Sequence, residues 1–469
     1  MTPHLSSSDT VARYRASSLW LDQLPSPVVA RSPLSGDFTC DAVIVGGGYT
    51  GLWAAYYLKL AQPDLRVAVL EAEMVGFGPS GRNGGWATAG IAGSAKVYQR
   101  RHGSDAVVRA TRETCRAVDE IGDVVVRERI DCGYVKAGML SVATSTPQAD
   151  RVRQNVLAAR AAGMTDDDIQ LLSPEQVANL AEVSGVLNAS FSPQAARVDP
   201  ARLARGLADA CQRLGVRIFE RTRAHSIEPK AVRCDHGTVR AEIVLRATEA
   251  YTTRLGGSRR DYLPLYSLMI ATEPLGADAW AAHHWKDGLL IGDRHHLFFY
   301  AQRTADGRIA IGGRGAPYRL GRPLDESNER NEDVCRRLEA ALRASFPVAA
   351  EAKVTHHWGG PLAVPRDWSM TVRFDRTTGV GTAGGYVGHG VGASNIAGRT
   401  LADLALGRGT ELVSLPWVDH SSRRWEPEPL RYFASSAIMR TLAAADRYED
   451  RHGRRARYTM PLRPFLPPS

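Results

Sequence analysis

The sequence predicts an α/β protein in which a parallel sheet is combined with a second unit of antiparallel strands. Three observations lead to this class. Residues 40–73 run as a short apolar strand, an apolar helix and a second short strand, which is how a parallel sheet begins. Residues 260–315 alternate as strands around a tight turn at residues 305–307. Glycine makes up 44 of 469 residues and is concentrated in a few clusters, which indicates glycine-built loops.

The individual elements follow from their patterns in chain order. Residues 42–45 are apolar throughout and predict a buried strand, residues 51–60 a helix, and residues 66–70 a second strand. Further helices are predicted at 106–129, 147–162, 200–214, 326–345 and 393–406, and further strands at 216–220, 243–247, 297–302, 308–313 and 379–383.

Composition disfavours several classes of protein. The formal charge of +9 comes mainly from arginines scattered among acids, which favours a solvated surface over a nucleic-acid partner. Six cysteines come no closer than 17 residues apart, so no metal site is expected. No apolar run is long enough for a membrane span, and we expect a cytoplasmic protein. The sequence does not predict an oligomeric state.

The first glycine cluster predicts a dinucleotide-binding loop. GxGxxG occurs at least three times, but only the copy at Gly46 follows a strand, opens a helix and precedes an acid at the next strand's end. Gly46 permits the tight turn, Gly48 lets the backbone approach a pyrophosphate, and Gly51 lets the helix pack on the strand. Glu71 can accept hydrogen bonds from a ribose, which favours an adenosine without a 2′-phosphate.

Two further glycine clusters distinguish FAD from NAD. They read GFGPSGRNGG at residues 76–85 and GGYVGHGVG at residues 384–392. Together with VIVGGGYTGLWAAYYL at the first loop, they make the sequence resemble the D-amino-acid oxidase superfamily of FAD-dependent oxidoreductases. The nearest branch is the glycine oxidase and gamma-glutamylputrescine oxidase-like one, and the resemblance extends over roughly residues 38–425.

The resemblance implies a Rossmann-like FAD-binding domain, assembled from discontinuous segments, and an antiparallel-sheet substrate domain. The expected limits are an N-terminal arm at 1–38, the FAD-binding domain at 39–95, 195–260 and 350–410, a substrate or cap domain at 96–194 and 261–349, and a C-terminal extension at 411–469. Motif and resemblance together assign the following residues to FAD: Gly46, Gly48, Tyr49, Thr50, Gly51, Glu71, Ala72, Ser80, Gly81, Arg82, Asn83, Gly84, Gly85, Gly385, Tyr386, Gly388, His389 and Gly390.

The helix predicted from Ala393 would aim its positive end at the third glycine cluster. Reduced flavin gathers negative charge near N1 and C2=O, which a helix N-terminus would stabilise. Ser394 and Asn395 are the candidates to cap this helix.

The activity implied by the resemblance is oxidation of an amine or amino acid. Hydride would pass from the carbon beside a neutral nitrogen to flavin N5, the imine would hydrolyse, and O2 would take the electrons to give hydrogen peroxide. The chain shows no second nucleotide-binding unit and no paired cysteines, which argues against NADPH-dependent monooxygenases and disulfide reductases. Electron transfer to a quinone or protein acceptor stays an alternative, as does an RNA-modifying or structural FAD-binding protein.

Four residues are candidates for the substrate pocket: His389, Tyr300, Arg314 and Arg366. Amino-acid-oxidising members of the family hold the substrate carboxylate with an arginine, in some of them a few residues after Trp-x-Gly. Here Trp358-Gly359-Gly360 is followed by Pro365 about where that arginine would fall, with Arg366 next to it. This departure shifts the expectation toward an amine or an amine-bearing side chain.

Overall fold

The computed structural model describes residues 7–314, 318–321 and 324–459. Within them the helices are α1 (Ser7–Arg15), α2 (Leu19–Asp22), α3 (Tyr49–Ala61), α4 (Ala95–His102), α5 (Ser104–Arg127), α6 (Thr146–Ala161), α7 (Pro174–Ala178), α8 (Pro200–Arg213), α9 (Ala277–Ala282), α10 (Glu332–Ser345), α11 (Gly390–Leu406) and α12 (Leu430–His452). None of the helices in these ranges is long and apolar enough to cross a bilayer.

The strands belong to two large sheets and two small ones. In chain order they are β1 (Phe38–Thr39), β2 (Ala42–Val45), β3 (Val67–Leu70), β4 (Trp86–Thr88), β5 (Met139–Ala143), β6 (Gln170–Leu172), β7 (Asn188–Ser192), β8 (Ala195–Arg197), β9 (Arg217–Phe219), β10 (Ala224–Glu228), β11 (Ala231–Cys234), β12 (Gly237–Arg240), β13 (Ile243–Arg246), β14 (Leu263–Thr272), β15 (Leu290–Asp293), β16 (Phe299–Arg303), β17 (Ile309–Arg314), β18 (Val354–Val364), β19 (Thr371–Asp375) and β20 (Val380–Gly384).

A six-stranded sheet forms the centre of the nucleotide-binding half. Its order is β19-β20-β13-β2-β3-β9, and all neighbours are parallel except β19 and β20. β2 and β3 are buried along their whole length, which explains their uniformly apolar sequences. Helices α3 and α11 cover the sheet and pack so closely that a Cβ at Gly398 would lie 2.4 Å from the Cβ of Trp53.

An eight-stranded sheet forms the other half. Its order is β18-β14-β17-β16-β15-β5-β7-β6, antiparallel except between β15 and β5. One face packs on α10, where Phe299 and Ile311 meet Leu338. The opposite face carries Tyr300 and turns toward the glycine clusters. The α/β class with a nucleotide-binding domain and a separate, mainly antiparallel sheet is therefore confirmed.

Some predicted boundaries differ from the observed ones. Strand β18, within the segment 350–410 that the sequence assigns to the FAD domain, pairs along β14 in the eight-stranded sheet. That segment therefore begins in one sheet and ends in the other. Helix α10 begins at Glu332 rather than 326, because the side chain of Asn331 caps it by accepting from the backbone N–H of Val334.

Candidate functional site

A cavity of about 1470 Å³ lies between the two large sheets. The first strands of the six-stranded sheet, all three glycine clusters and one face of the eight-stranded sheet line it. Pockets for drug-sized ligands usually measure about 300–1,000 Å³. The cavity is therefore large enough for a dinucleotide and a second, smaller molecule.

The first glycine loop brings bare backbone to this cavity. Gly46 has a φ of +113°, and a Cβ there would lie 2.4 Å from the carbonyl oxygen of Ala247. A Cβ at Gly51 would lie 2.0 Å from the carbonyl oxygen of Gly46, so the first turn of α3 requires glycine at this position. Gly48 is the N-cap of α3 and provides no side-chain cap, and the N–H of Tyr49 donates to the hydroxyl of Ser80 at 3.0 Å. The positive end of α3 faces the cavity, which fits a pyrophosphate.

Glu71, the predicted ribose ligand, lies against this loop. Its Oε2 accepts from the backbone N–H of Gly47 at 2.8 Å, and its Oε1 accepts from that of Glu73 at 2.9 Å. Burial raises the pKa of this carboxyl to about 7, against the opposing effect of the two backbone donors. Each carboxylate oxygen has a further lone pair, so Glu71 keeps acceptor capacity for ribose hydroxyls.

The second glycine cluster is shaped by its own side chains. Arg82 pairs with Glu329 at 2.7 Å and donates to the carbonyl oxygen of Phe77 at 2.6 Å. Asn83 accepts from the N–H of Gly85 and donates to carbonyl oxygens of the preceding turn. The guanidinium of Arg82 is thus engaged within the protein. The hydroxyl of Ser80 accepts from the backbone N–H of Tyr49 at 3.0 Å and can still donate its own proton to a ligand, as can the backbone N–H groups of the loop.

Most of the predicted cofactor residues line the cavity, while some stand directly behind its wall. Those in the wall are Gly46, Gly48, Tyr49, Thr50, Glu71, Ala72, Ser80, Arg82, Asn83, Gly84, Tyr386, Gly388, His389 and Gly390. Those behind it are Gly51, Gly81, Gly85 and Gly385, where a Cβ would come within 2.0–2.5 Å of a neighbouring atom. The second group permits close packing and does not itself offer ligand contacts.

The N-terminal arm holds the second glycine cluster from outside. Ser18 donates to the carbonyl oxygen of Gly81 at 2.9 Å, and the indole N–H of Trp20 donates to that of Asn83 at 2.9 Å. Trp358 of β18 donates in the same way to Arg82, at 2.8 Å. The sequence did not predict these hydrogen bonds to the second glycine cluster. The only available signal was the presence of aromatic residues in an otherwise polar arm.

The third glycine cluster opens helix α11. His389 is the N-cap residue, no side chain caps the helix, and Gly388, His389 and Gly390 all line the cavity. The expectation that Ser394 or Asn395 caps the helix is wrong, because these side chains bond to Val391 and Tyr57. The positive end of α11 is therefore directed at the cavity without competition from a cap.

Glu249 anchors this third cluster and was not anticipated. One carboxylate oxygen accepts from the N–H groups of Gly385 and Tyr386 at 3.0 and 3.1 Å, and the other accepts from Ala363 at 2.8 Å. The residue adopts a φ of +44°, a strained conformation for glutamate. Burial raises its pKa to about 7. This carboxylate ties the loop to strand β18.

Arg314 places a cation at the same end of the cavity. Its Nη2 donates to the carbonyl oxygen of Val387 at 2.7 Å, and its guanidinium lies 5.0 Å from the ring centre of Phe298. No carboxylate of the described residues pairs with it, and burial lowers its pKa. Burial and the neighbouring charge of Arg314 lower the pKa of His389 to about 4, so this imidazole is neutral at physiological pH.

Tyr300 and Arg366 occupy contrasting places. Tyr300 packs against Gly84 and shares a hydrogen bond of 2.7 Å with the hydroxyl of Ser267, inside the cavity. Arg366 is not among the residues that line the cavity, and its Nε donates to both carboxylate oxygens of Glu426 at 3.0 and 3.1 Å. The structure thus brings together three of the four pocket candidates and leaves Arg366 apart.

No group of three or more histidine, cysteine, aspartate or glutamate side chains in the described ranges is arranged to hold a metal ion.

Comparison with known proteins identifies the family of this arrangement. A family model described as FAD dependent oxidoreductase (DAO) matches residues 41–404. The gamma-glutamylputrescine oxidoreductase of Escherichia coli (strain K12) is 30% identical over 383 residues, which cover 80% of this chain and 85% of that protein. The glycine oxidase of Bacillus licheniformis is 23% identical over 390 residues, with 81% and 95% covered.

Solved structures agree on the fold. The crystal structure of glycine oxidase from Geobacillus kaustophilus matches with a TM-score of 0.68 at 19% identity, covering 82% of this chain and 100% of that one. The glycine loops, the uncapped starts of α3 and α11 and the size of the cavity all fit FAD. FAD is therefore the cofactor of this protein.

Proposed function

The chain belongs to the family of FAD-dependent oxidoreductases. We propose that this protein is an oxidase of amines that carry a carboxylate, with O2 as the electron acceptor. The comparisons support the coarser statement, an oxidoreductase of the amine and amino-acid oxidase type. The observation that carries the finer proposal is Arg314, a cation in the cavity without a carboxylate partner among the described residues.

The chemistry divides between cofactor and chain. FAD, when bound, supplies the acceptor for a hydride from the carbon beside nitrogen and passes the two electrons to O2, which gives hydrogen peroxide. The three glycine clusters would hold the cofactor through backbone donors and helix ends. The protein's remaining task is to hold the reacting carbon in place and exclude water.

Arg314 would fix the substrate by its carboxylate. An unpaired buried cation is costly, and a carboxylate matches the guanidinium fork in charge and geometry. The same cation disfavours the ammonium form of a nearby amine, so the neutral amine needed for hydride transfer becomes easier to reach. Neutral His389 has too low a pKa to act as a strong base, which agrees with a site that positions its substrate.

The start of α11 supports the oxidase proposal. Its positive end faces the cavity at Gly388–Gly390, where it would stabilise negative charge that develops on a ligand. That environment suits an oxidase, because a positive helix end favours the anionic form of the reduced cofactor.

The test is anaerobic mixing of the yellow holoenzyme with matched pairs of amines. Each pair consists of an amino acid or N-methyl amino acid and the amine that lacks its carboxylate. We expect bleaching of the flavin absorbance by one or more carboxylate-bearing members, recovery of colour on admission of air, and one peroxide per substrate. Bleaching only by amines without a carboxylate would contradict the role of Arg314, and reoxidation by a quinone but not by air would contradict O2. Rapid bleaching by NADPH would replace the oxidase with a monooxygenase or reductase.

A further inference from the structure

A second arginine, Arg294, lines the same cavity as Arg314. On β16, Tyr300 is paired with Gly292 of β15 on one side and with Gly312 of β17 on the other. Arg314, two positions after Gly312 on β17, shares the face of Tyr300, and Arg294 directly follows Asp293, the last residue of β15. Both arginines line the cavity.

Arg294 and Arg314 both lie close to Phe298. The guanidinium of Arg314 is 5.0 Å from the centre of that ring, and Arg294 begins the loop from β15 to β16 that ends at Phe298. Strands β15 and β17 lie on either side of β16, and neighbouring strands are about 4.7–4.9 Å apart, so the two strands that lead to these arginines are separated by roughly 10 Å. The two side chains can therefore bind two groups of one small molecule.

Arg294 has no hydrogen-bonded acid among the described residues. Its guanidinium makes no hydrogen bond or ion pair in these ranges, and its Nε is fully enclosed. The charge of Asp293 acts favourably on it and that of Arg151 unfavourably. The nearby acids bond to other groups: Asp293 accepts from the N–H of Phe299 at 2.8 Å and pairs with His295, and Glu449 pairs with Arg151 at 2.8 Å. An enclosed cation without a hydrogen-bonded counter-ion is unfavourable unless an anion joins it.

Helices α6 and α12 support the loop that carries Arg294. Asp446 of α12 accepts from the backbone N–H groups of His296 and Leu297 at 2.8 and 2.9 Å. Arg151 of α6 donates through Nε to the carbonyl oxygen of Arg294 at 2.9 Å. Helix α12 lies beyond residue 404, where the family match ends, whereas α6 lies within the match. These contacts fix the backbone of Arg294 from two sides.

We propose that Arg294 binds a second carboxylate of the substrate, so that the enzyme acts on dicarboxylic amines. The inference rests on the proposed function, in which Arg314 holds the carboxylate nearest the reacting carbon. The ligand class is an amine with two carboxylates several bonds apart, such as an acidic amino acid or an N-carboxyalkyl amino acid. A monocarboxylic amine fills only one of the two sites.

The test uses acids that cannot be oxidised, so it does not depend on turnover. The holoenzyme is titrated with glutarate, adipate and pimelate and with the monoacids of equal carbon number, and the shift in flavin absorbance gives each Kd. We expect at least one diacid to bind about ten- to hundredfold more tightly than its monoacid, as an added hydrogen-bonded ion pair predicts. Absence of any diacid preference would overturn the proposal.

Variants assign the preference to Arg294. Arg294→Gln should abolish the diacid preference and leave monoacid binding unchanged, whereas Arg314→Gln should weaken both. Arg153→Gln, which removes an exposed arginine paired with Asp150 on α6, is the matched control and should change neither. An Arg294→Gln holoenzyme that keeps the full preference refutes the proposal.

If Arg294→Gln purifies without FAD, the charge-conserving Arg294→Lys decides instead. A lysine lacks the guanidinium fork, so a reduced diacid preference supports the site and an unchanged one refutes it. Failure of every amine to bleach the flavin would remove the proposed oxidase function, yet the diacid titrations would still report on Arg294. The two failures are therefore distinguishable.

Discussion

The nucleotide end and the proposed substrate end of the cavity are assembled in different ways. At the nucleotide end, β2, the loop of Gly46–Gly51 and α3 follow one another in the chain, and Glu71 comes at the end of the next strand. At the substrate end, Arg314, Tyr300 and His389 come from separate strands and from a loop about ninety residues away along the chain. The residues of the nucleotide end are therefore close in sequence, whereas those of the other end come together only when the two sheets pack.

Arg314 and Arg366 illustrate this contrast. In the sequence they are two arginines of equal charge, and Arg366 lies nearer to the Trp-x-Gly that precedes a carboxylate-binding arginine in some relatives. In the structure Arg366 bonds to Glu426 outside the cavity wall, whereas Arg314 lies within it without an acidic partner in the described residues. That difference in partners, which depends on the fold, is the reason for proposing Arg314 as the binding residue.

The largest expected effect is at the nucleotide end. Gly51→Trp should abolish FAD binding, because even a Cβ there would lie 2.0 Å from the carbonyl oxygen of Gly46 and would separate helix from strand. Gly256→Trp is the control, since a Cβ at Gly256 meets nothing within 4 Å. Flavin content per chain after purification is the measurement. Full occupancy in Gly51→Trp would refute this placement of the loop.

The next effect separates the two arginines. Arg314→Gln should lower kcat/KM for a carboxylate-bearing amine about ten- to hundredfold, the loss expected for a hydrogen-bonded ion pair, with FAD content unchanged. Arg366→Gln should change kcat/KM little, because its charge is already paired with Glu426. Steady-state peroxide formation measures both. An equal loss of kcat/KM in the two variants would show that Arg314 has no greater role in substrate binding than Arg366.

A smaller effect is expected at Glu71. Glu71→Gln should weaken FAD binding by about 1.5–3 kcal/mol for each hydrogen bond lost to the charged acceptor. The reduction potential of the bound flavin should stay the same, because a ribose-binding residue is remote from the isoalloxazine ring. Glu242→Gln, at an exposed residue paired with Lys230, is the control. A shifted potential with unchanged affinity would assign Glu71 to the flavin end instead.

The smallest effect is a pH dependence at Glu249. Its pKa is raised from 4.5 to about 7, so between these values the folded state retains a proton that the unfolded state loses. The contribution of this carboxyl to the free energy of unfolding therefore falls as pH rises from about 4.5 to 7 and is level above that. Chemical denaturation of Glu249→Gln and the unsubstituted protein at several pH values should show their difference shrinking over this window. A difference independent of pH would contradict the raised pKa.

Much of the fold could be predicted because its signals are local. The helix predicted at 200–214 is observed as Pro200–Arg213, and the strand predicted at 243–247 as Ile243–Arg246. Helix α11 begins at Gly390, three residues before the predicted start. The sequence pattern missed this first turn because it contains Gly390 and Gly392, and glycine is a poor helix former in isolation. A Cβ at Gly392 would lie 3.0 Å from the carbonyl oxygen of Thr88, so packing, not helix propensity, determines that turn.

The residues that sequence reasoning missed act across long distances in the chain. Glu249 bonds to strand β18 and to the third glycine cluster, both more than a hundred residues away, and Trp20 supports Asn83 from the N-terminal arm. The proposed role of Arg294 depends on the position of its loop beside β16 and β17 and on the contacts of that loop with α12. None of these contacts leaves a periodic or motif signal, since each depends on tertiary packing.

Recognition of the substrate carboxylate by Arg314 can be measured with one matched pair of ligands. The rate of anaerobic flavin bleaching is compared for an amino acid and for its primary amide, each with the unsubstituted enzyme and with Arg314→Gln. We expect the unsubstituted enzyme to prefer the acid by about ten- to hundredfold and Arg314→Gln to lose this preference. A preference of the same size in both enzymes would contradict it.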